Sequence, residues 1–86
     1  MVGSKSENLY EAKKGITFSV KSVPDIGLLE NLGVRAGTQV AVKNRYALGG
    51  PVLLYVENTY SVAIGKDIAK QIMVTEMAST KEEGDA

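Results

Sequence analysis

Apolar and polar residues alternate along much of this chain, with the period of two that is typical of half-buried β-strands. Five stretches are predicted as strands: residues 15–23, 38–46, 52–58, 60–65 and 72–76. The first, GITFSVKSV, is the clearest, because Ile16, Phe18 and Val20 share one face and polar side chains occupy the other. The pattern therefore predicts short strands that each bury one face.

Two stretches between these strands have helical spacing instead. In PDIGLLENLG, after the first strand, three leucines share one helical face and are expected in the core: Leu28, Leu29 and Leu32. Asp25 is the expected N-cap, and Gly33 is the residue expected to end the helix. KDIAKQ (66–71) predicts one helical turn before the last strand.

Glycine and proline separate these elements, and we assign them to turns and not to chemistry. The positions are Gly33, Gly37, Gly49, Gly50 and Pro51. The densest group, ALGGP, joins the second predicted strand to the third. Leu48 is unexpected there, because an apolar side chain stands at the edge of a tight turn, where a polar one is usual.

Leu48 has two interpretations. Either it folds back over the open end of a small core, or it projects as an apolar contact for a partner. An apolar cluster on a stiff turn loses little entropy on binding. The second interpretation predicts a partner-binding surface from apolar residues at turn and outward strand positions: Tyr46, Leu48, Leu53 and Tyr60.

The order of elements predicts a mostly β fold. Five short strands, with a short α-helix after strand 1 and a helical turn before strand 5, favour a small closed barrel, because closure removes exposed strand edges. We predict a flexible N-terminus at 1–8, one barrel domain at 9–76 and a disordered acidic tail at 77–86. The segment 4–14 is expected to pack on the barrel through Leu9 and Tyr10.

The residue types that are missing restrict the chemistry. The 86 residues include no histidine and no cysteine, so the commonest general base, the usual transition-metal ligands and the thiol nucleophile are absent. The carboxylates at 25, 30, 57 and 67 have no paired spacing, and no glycine-rich phosphate loop occurs. We therefore expect no enzyme activity, no catalytic residue, no cofactor and no metal site.

Location and charge follow from the same composition. The lack of cysteine fits a reducing compartment, and no apolar stretch approaches the roughly 20 residues that span a bilayer. No signal peptide is recognisable, so the sequence predicts a cytoplasmic protein without membrane insertion. Residues 1–75 carry nine basic and six acidic side chains, which is too weak an excess for a nucleic-acid footprint.

Three alternatives to partner binding stay open. Tyr46, Tyr55 and Tyr60 have the chemistry to stack on bases beside Lys43 and Arg45, although strand tyrosines usually pack across strands. A proline-rich peptide needs an aromatic groove, and this chain has five aromatic residues and no tryptophan. Small barrels also pair along a strand edge, which would make a homo-oligomer.

The sequence resembles the FeoA family, the small cytosolic component of bacterial ferrous-iron uptake systems. LENLGVRAGT is similar to the family's L-x-x-L-G-[LV]-x-P-G-T, ALGGPVLLYV to its P-L-G-[GD]-P hairpin, and YSVAIGKDIAKQIMV to its last elements. The resemblance covers residues 9–76 and extends to the C-terminal barrel of DtxR-type iron-dependent repressors. Ala36 and Ala47 stand where the family usually has proline, and DIGLL replaces a region that often carries arginine.

The resemblance implies an SH3-like barrel and a partner, the membrane transporter FeoB with its cytosolic GTP-binding domain. Family members are thought to support or regulate that transporter, not to carry iron. A repressor-type barrel module is the weaker interpretation, because the DNA-binding and iron-sensing parts are not in this sequence.

Overall fold

The computed structural model describes residues 6–77, and the predictions for 1–5 and 78–86 lie outside them. Within that range the strands are β1 (Ser6–Asn8), β2 (Thr17–Ser22), β3 (Gln39–Arg45), β4 (Val52–Val56), β5 (Tyr60–Ile64) and β6 (Met73–Glu76). A 3₁₀ turn spans Leu9–Glu11, and the helices are α1 (Gly27–Leu32) and α2 (Lys66–Ala69). The five predicted strands and both predicted helices are therefore present, with ends that differ by a few residues.

The strands form one antiparallel sheet in the order β1-β6-β2-β3-β4-β5, with β1 and β5 at its edges. The prediction of a closed five-stranded barrel is wrong in both respects, since the sheet has six strands and does not close. The extra strand, β1, lies within the predicted flexible N-terminus and pairs with β6. A three-residue strand is too short to show alternation, so the hydrophobic pattern could not reveal it.

The two edges of the open sheet differ in their surroundings. Within the residues that the structure describes, β1 is three residues long, and short edge strands are poor templates for pairing with another chain. At the other edge, the Tyr60 hydroxyl of β5 donates a hydrogen bond to the Leu32 carbonyl of α1 (2.6 Å). The helix therefore approaches one end of β5, and the rest of this edge is not paired with another strand of the described sheet.

A β-bulge in β3 decides where its last residues point. Val40 and Val42 lie opposite Val56 and Leu54, and all four are buried. The register then shifts between Val42 and Asn44, so that Arg45 lies opposite buried Val52. Directly opposite residues share a face of the sheet, so the bulge turns Arg45 towards the core side.

The core is formed by one face of the sheet, the 3₁₀ turn and the helices. Its largest fully buried side chains are Phe18, Leu9, Leu29, Leu54, Ile72, Val34, Val40, Val42, Val52, Val56 and Val74. Leu9 therefore packs inward as predicted, and Tyr10 is partly buried against the core.

Helix α1 differs from its prediction in two details. Only Leu29 is fully buried, whereas Leu32 is partly buried and Leu28 is 52% exposed. A six-residue helix turns successive side chains by about 100°, so one leucine points inward and its neighbour does not. The N-cap position is Ile26 without a side-chain cap, so Asp25 does not have the predicted role. Gly33 ends the helix with φ +82°, as predicted.

Candidate interaction surface at the turn between β3 and β4

The turn between β3 and β4 is held by two backbone hydrogen bonds. The N–H of Tyr46 donates to the Pro51 carbonyl (3.1 Å), and the N–H of Gly50 donates to the Ala47 carbonyl (3.2 Å). Between them, Leu48 (φ +63°) and Gly49 (φ +77°) are both in the left-handed region. The turn is therefore a defined structure, and its geometry requires two consecutive residues with positive φ.

Leu48 is fully exposed, at 104% relative accessibility. It does not fold over the core, so the capping interpretation is wrong. A left-handed conformation costs a residue with a Cβ about 1–2 kcal/mol, and glycine, asparagine or aspartate is usual there. The molecule therefore holds a leucine at a position where both its side chain and its backbone are unfavourable for a free protein.

Glycine is needed at position 50 for a different reason than at position 49. Its φ is not in the left-handed region, but a Cβ at this position would lie 2.9 Å from the Tyr46 Cβ and 3.3 Å from the Ala47 carbonyl oxygen. Tyr46, itself exposed, lies against this glycine. Glycine at position 50 therefore leaves room for the Tyr46 side chain beside the turn that carries Leu48.

The four residues predicted to bind a partner do not form one cluster. Tyr46 and Leu48 lie together on the turn. Leu53 lies opposite Asn44 and Ala63 on the outer face of the sheet, where it is partly buried. Tyr60 lies opposite Val56, at the far end of β4 from the turn and on the core side. The two ends of β4 are four residue steps apart, which corresponds to about 13 Å.

A basic cluster beside the turn was not predicted from the sequence. A Cβ on Gly49 would lie 3.8 Å from Cδ of Lys66, the first residue of α2. The Lys66 Nζ lies 5.6 Å from the centroid of the Tyr10 ring, and the Arg45 guanidinium carbon lies 5.9 Å from it. The Arg45 Nη2 also donates to the Ala12 carbonyl.

These groups line one shallow depression together with Lys70 and Glu11. We call Arg45, Lys66 and Lys70, around Tyr10, the basic rim. No local pattern links positions 10, 45, 66 and 70, which come from the 3₁₀ turn, β3 and α2. The bulge in β3 and the contact between α2 and the 3₁₀ turn bring them together, so only the tertiary structure could reveal the rim.

The tyrosines that could stack on nucleic-acid bases are dispersed. Tyr46 lies on the turn, Tyr55 on the outer face of β4 and Tyr60 on the core side of β5. The Lys43 ammonium lies 5.1 Å from the centroid of the Tyr55 ring, so a lysine already lies over that ring. The three rings do not make a common stacking platform of the kind that single-stranded nucleic acid uses.

Over residues 6–77, no three metal-ligating side chains come together. In the same range, no helix is long and apolar enough to cross a membrane.

The fold and the exposed turn define a small, mostly β domain of the SH3-like type. A sequence model of the FeoA domain matches residues 7–76, so the chain belongs to the FeoA family. The crystal structure of an iron uptake regulatory protein, FeoA, is 24% identical over 85% of this chain and 99% of its own, with a TM-score of 0.76. No curated protein matches the chain.

Two further structures extend the comparison. The solution structure of the FeoA protein from Chlorobium tepidum is 26% identical over 90% of this chain and 74% of its own, with a TM-score of 0.72. A manganese-dependent transcriptional repressor is 17% identical with a TM-score of 0.77, but the match covers 45% of the repressor against 90% of this chain. The repressor shares the fold of one of its parts with this chain.

Membership in the FeoA family implies a role in ferrous iron transport. Proteins of this family and fold are non-catalytic accessory or regulatory modules, not enzymes. The resemblance to the FeoA family and to repressor barrels inferred from the sequence is confirmed.

Proposed function

We propose that this protein is a cytoplasmic accessory protein of bacterial ferrous iron uptake that binds the transporter FeoB at its GTP-binding domain. The turn with Tyr46 and Leu48 would be the centre of the contact. The observation that supports this assignment is the full exposure of Leu48 in a left-handed backbone conformation.

The energetics favour this turn over the rest of the surface. Burying a leucine side chain against a partner contributes about 1.5–3 kcal/mol. The turn is already held by its hydrogen bonds, so little backbone entropy is lost on binding. An exposed leucine that is strained in the free protein and useful only when covered is consistent with selection for a contact.

Leu53 and Tyr60 would make secondary contacts with the partner, outside the turn. Leu53 would extend the contact over the outer face, next to the strand end from which the turn emerges. Tyr60 is on the core side at the opposite end of β4, and its hydroxyl is already bonded to Leu32. In this proposal Tyr60 contacts the partner at a second point, away from the turn.

Calorimetric titration of the full chain into FeoB tests the proposal, with full-length transporter in detergent and the GTP-binding domain as separate samples. The unaltered chain should bind at least one of them. Leu48→Ser should weaken binding about tenfold or more, because it removes an apolar anchor of more than about 1.4 kcal/mol. Its melting temperature should not fall, since the side chain is exposed.

Leu28→Ser is the matched control, because Leu28 is also a solvent-exposed leucine but lies on α1. It should leave the affinity unchanged. Equal weakening by both variants, or no weakening by Leu48→Ser, would place the contact elsewhere. Absence of binding by the unaltered chain, with and without GTP, would rule out FeoB as a direct partner.

Self-association is a second candidate, because β5 has a free edge and the strand is five residues long. Edge strands of this length can pair with a second copy. Size-exclusion chromatography with light scattering distinguishes a dimer from a monomer that awaits its partner.

A further inference from the structure

The basic rim adjoins the exposed turn, and the two form one continuous surface. Lys66 is the connection, because its side chain lies within 4 Å of the position that a Gly49 Cβ would take and also over the Tyr10 ring. A partner that covers Leu48 must therefore approach Lys66 as well.

The charges on this surface are unequal. Arg45, Lys66 and Lys70 line the depression, and Glu11 is its single acidic lining residue. Arg45 and Lys66 each lie within 6 Å of the Tyr10 ring centroid, and both line the same depression as Lys70. Because three of the four charged residues that line the depression are basic, an anionic group on a partner would be attracted to it.

Arg45 is the fixed member of the rim and Lys70 the free one. Arg45 is partly buried and bonded to the Ala12 carbonyl, so its guanidinium positions the segment before β2. Lys66 is also partly buried, whereas Lys70 is exposed at the end of α2. The accessible charge that a partner would meet first is therefore Lys70, with Lys66 beside the leucine.

From this arrangement we propose that the surface recognises an apolar socket bordered by carboxylates on a partner protein. Leu48 fills the socket, and the basic rim pairs with aspartate or glutamate side chains at its border. This inference rests on the proposed function, because it describes the chemistry of the partner that the turn would contact.

The two parts of the surface should act on different rate constants. Charges at the border of an interface mainly steer association, whereas a buried apolar anchor mainly slows dissociation. Lys70→Glu should therefore lower the association rate constant about fivefold, and Leu48→Ser should mainly raise the dissociation rate constant. Raising the ionic strength from about 0.05 M to about 0.5 M should remove most of the Lys70→Glu effect, because the Debye length shortens.

Biolayer interferometry of the full chain against full-length FeoB in detergent measures both rate constants. Arg35→Glu is the matched control, since it makes the same charge reversal at an exposed residue before β3, at the opposite end of that strand from the turn. It should not change the rates beyond the general effect of net charge.

The outcomes separate the two proposals. If the unaltered chain does not bind, both fail. If it binds and Leu48→Ser weakens the complex, but Lys70→Glu and Arg35→Glu have equal effects, the acidic socket is wrong and the proposed contact stands. If the Lys70→Glu effect disappears when FeoB is freed of nucleotide, the anion is a phosphate, and the assignment to carboxylates is overturned.

Discussion

The two turns at opposite ends of β4 both contain residues in the left-handed region, but the side chains at these residues differ in polarity and in their contacts. In the turn after β4, Glu57 (φ +51°) and Asn58 (φ +59°) are polar, and the Glu57 carboxylate accepts a hydrogen bond from the Gln39 N–H (3.0 Å). The Thr59 hydroxyl donates to the Val56 carbonyl (2.9 Å). In the turn before β4, Leu48 has the same backbone conformation with a side chain that extends into solvent.

The two turns differ in whether side-chain hydrogen bonds compensate the strain of the left-handed backbone. Side-chain hydrogen bonds of about 0.5–1.5 kcal/mol each offset the strain at the β4–β5 turn. At the β3–β4 turn, the strain of about 1–2 kcal/mol at Leu48 has no such compensation from its side chain. The turn requires a positive φ at position 48 but does not require a leucine there, and this is a reason to look for function at Leu48.

The largest expected effect is a loss of stability at the contact between the end of α1 and Tyr60, which follows the β4–β5 turn. Gly33→Ala adds a Cβ that would collide with the Tyr60 hydroxyl and force a positive φ on alanine. We expect the free energy of unfolding to fall by about 2–4 kcal/mol, because conformational strain and the lost hydrogen bond to Leu32 combine.

Two alanine variants separate these causes by urea denaturation. Gly37→Ala has the same left-handed strain (φ +95°) with no atom within 4 Å of the new Cβ, and it should lose only about 1–2 kcal/mol. Gly27→Ala has neither problem and should be neutral or stabilising by up to about 1 kcal/mol. Equal losses at 33 and 37 would show that the Tyr60 contact does not restrict α1.

A smaller effect is expected from the hydroxyl itself. Tyr60→Phe removes the 2.6 Å hydrogen bond to the Leu32 carbonyl and should lower the free energy of unfolding by about 0.5–1.5 kcal/mol. Tyr46→Phe removes the hydroxyl of the exposed tyrosine at the other turn and should change stability by less than about 0.5 kcal/mol. Equal destabilisation of the two variants would show that the Tyr60 hydroxyl supports the fold no more than the exposed Tyr46 hydroxyl does.

The smallest effect, and the one with the opposite sign, is expected at Leu48. Leu48→Asn keeps the turn but places there a residue that tolerates the left-handed region. Because the leucine buries almost nothing, the variant should be more stable by about 0.5–1 kcal/mol and should bind FeoB more weakly. A loss of stability measured by denaturation would mean that the leucine supports the fold after all.

The candidate site was only partly predictable. Leu48 could be selected from the sequence, because an apolar residue in a glycine-rich turn is unusual. Leu53 and Tyr60 were grouped with it only because apolar residues were expected to point outward, and strand pairing places them on different faces. Alternation along YSVAIG puts Tyr60 on the same side as Val62 and Ile64, so its own pattern already argued against an outward position.

The sequence by itself determined the local elements: the strands β2 to β6, the two short helices, the glycine that ends α1 and the turn that presents Leu48. These follow from interactions between residues close together in the chain. Only the tertiary structure decided that β1 joins the sheet, that the sheet stays open and that the basic rim forms beside the turn. Those features depend on pairings between distant segments and on one bulge in β3, which shifts the direction of Arg45 without any mark in the hydrophobic pattern.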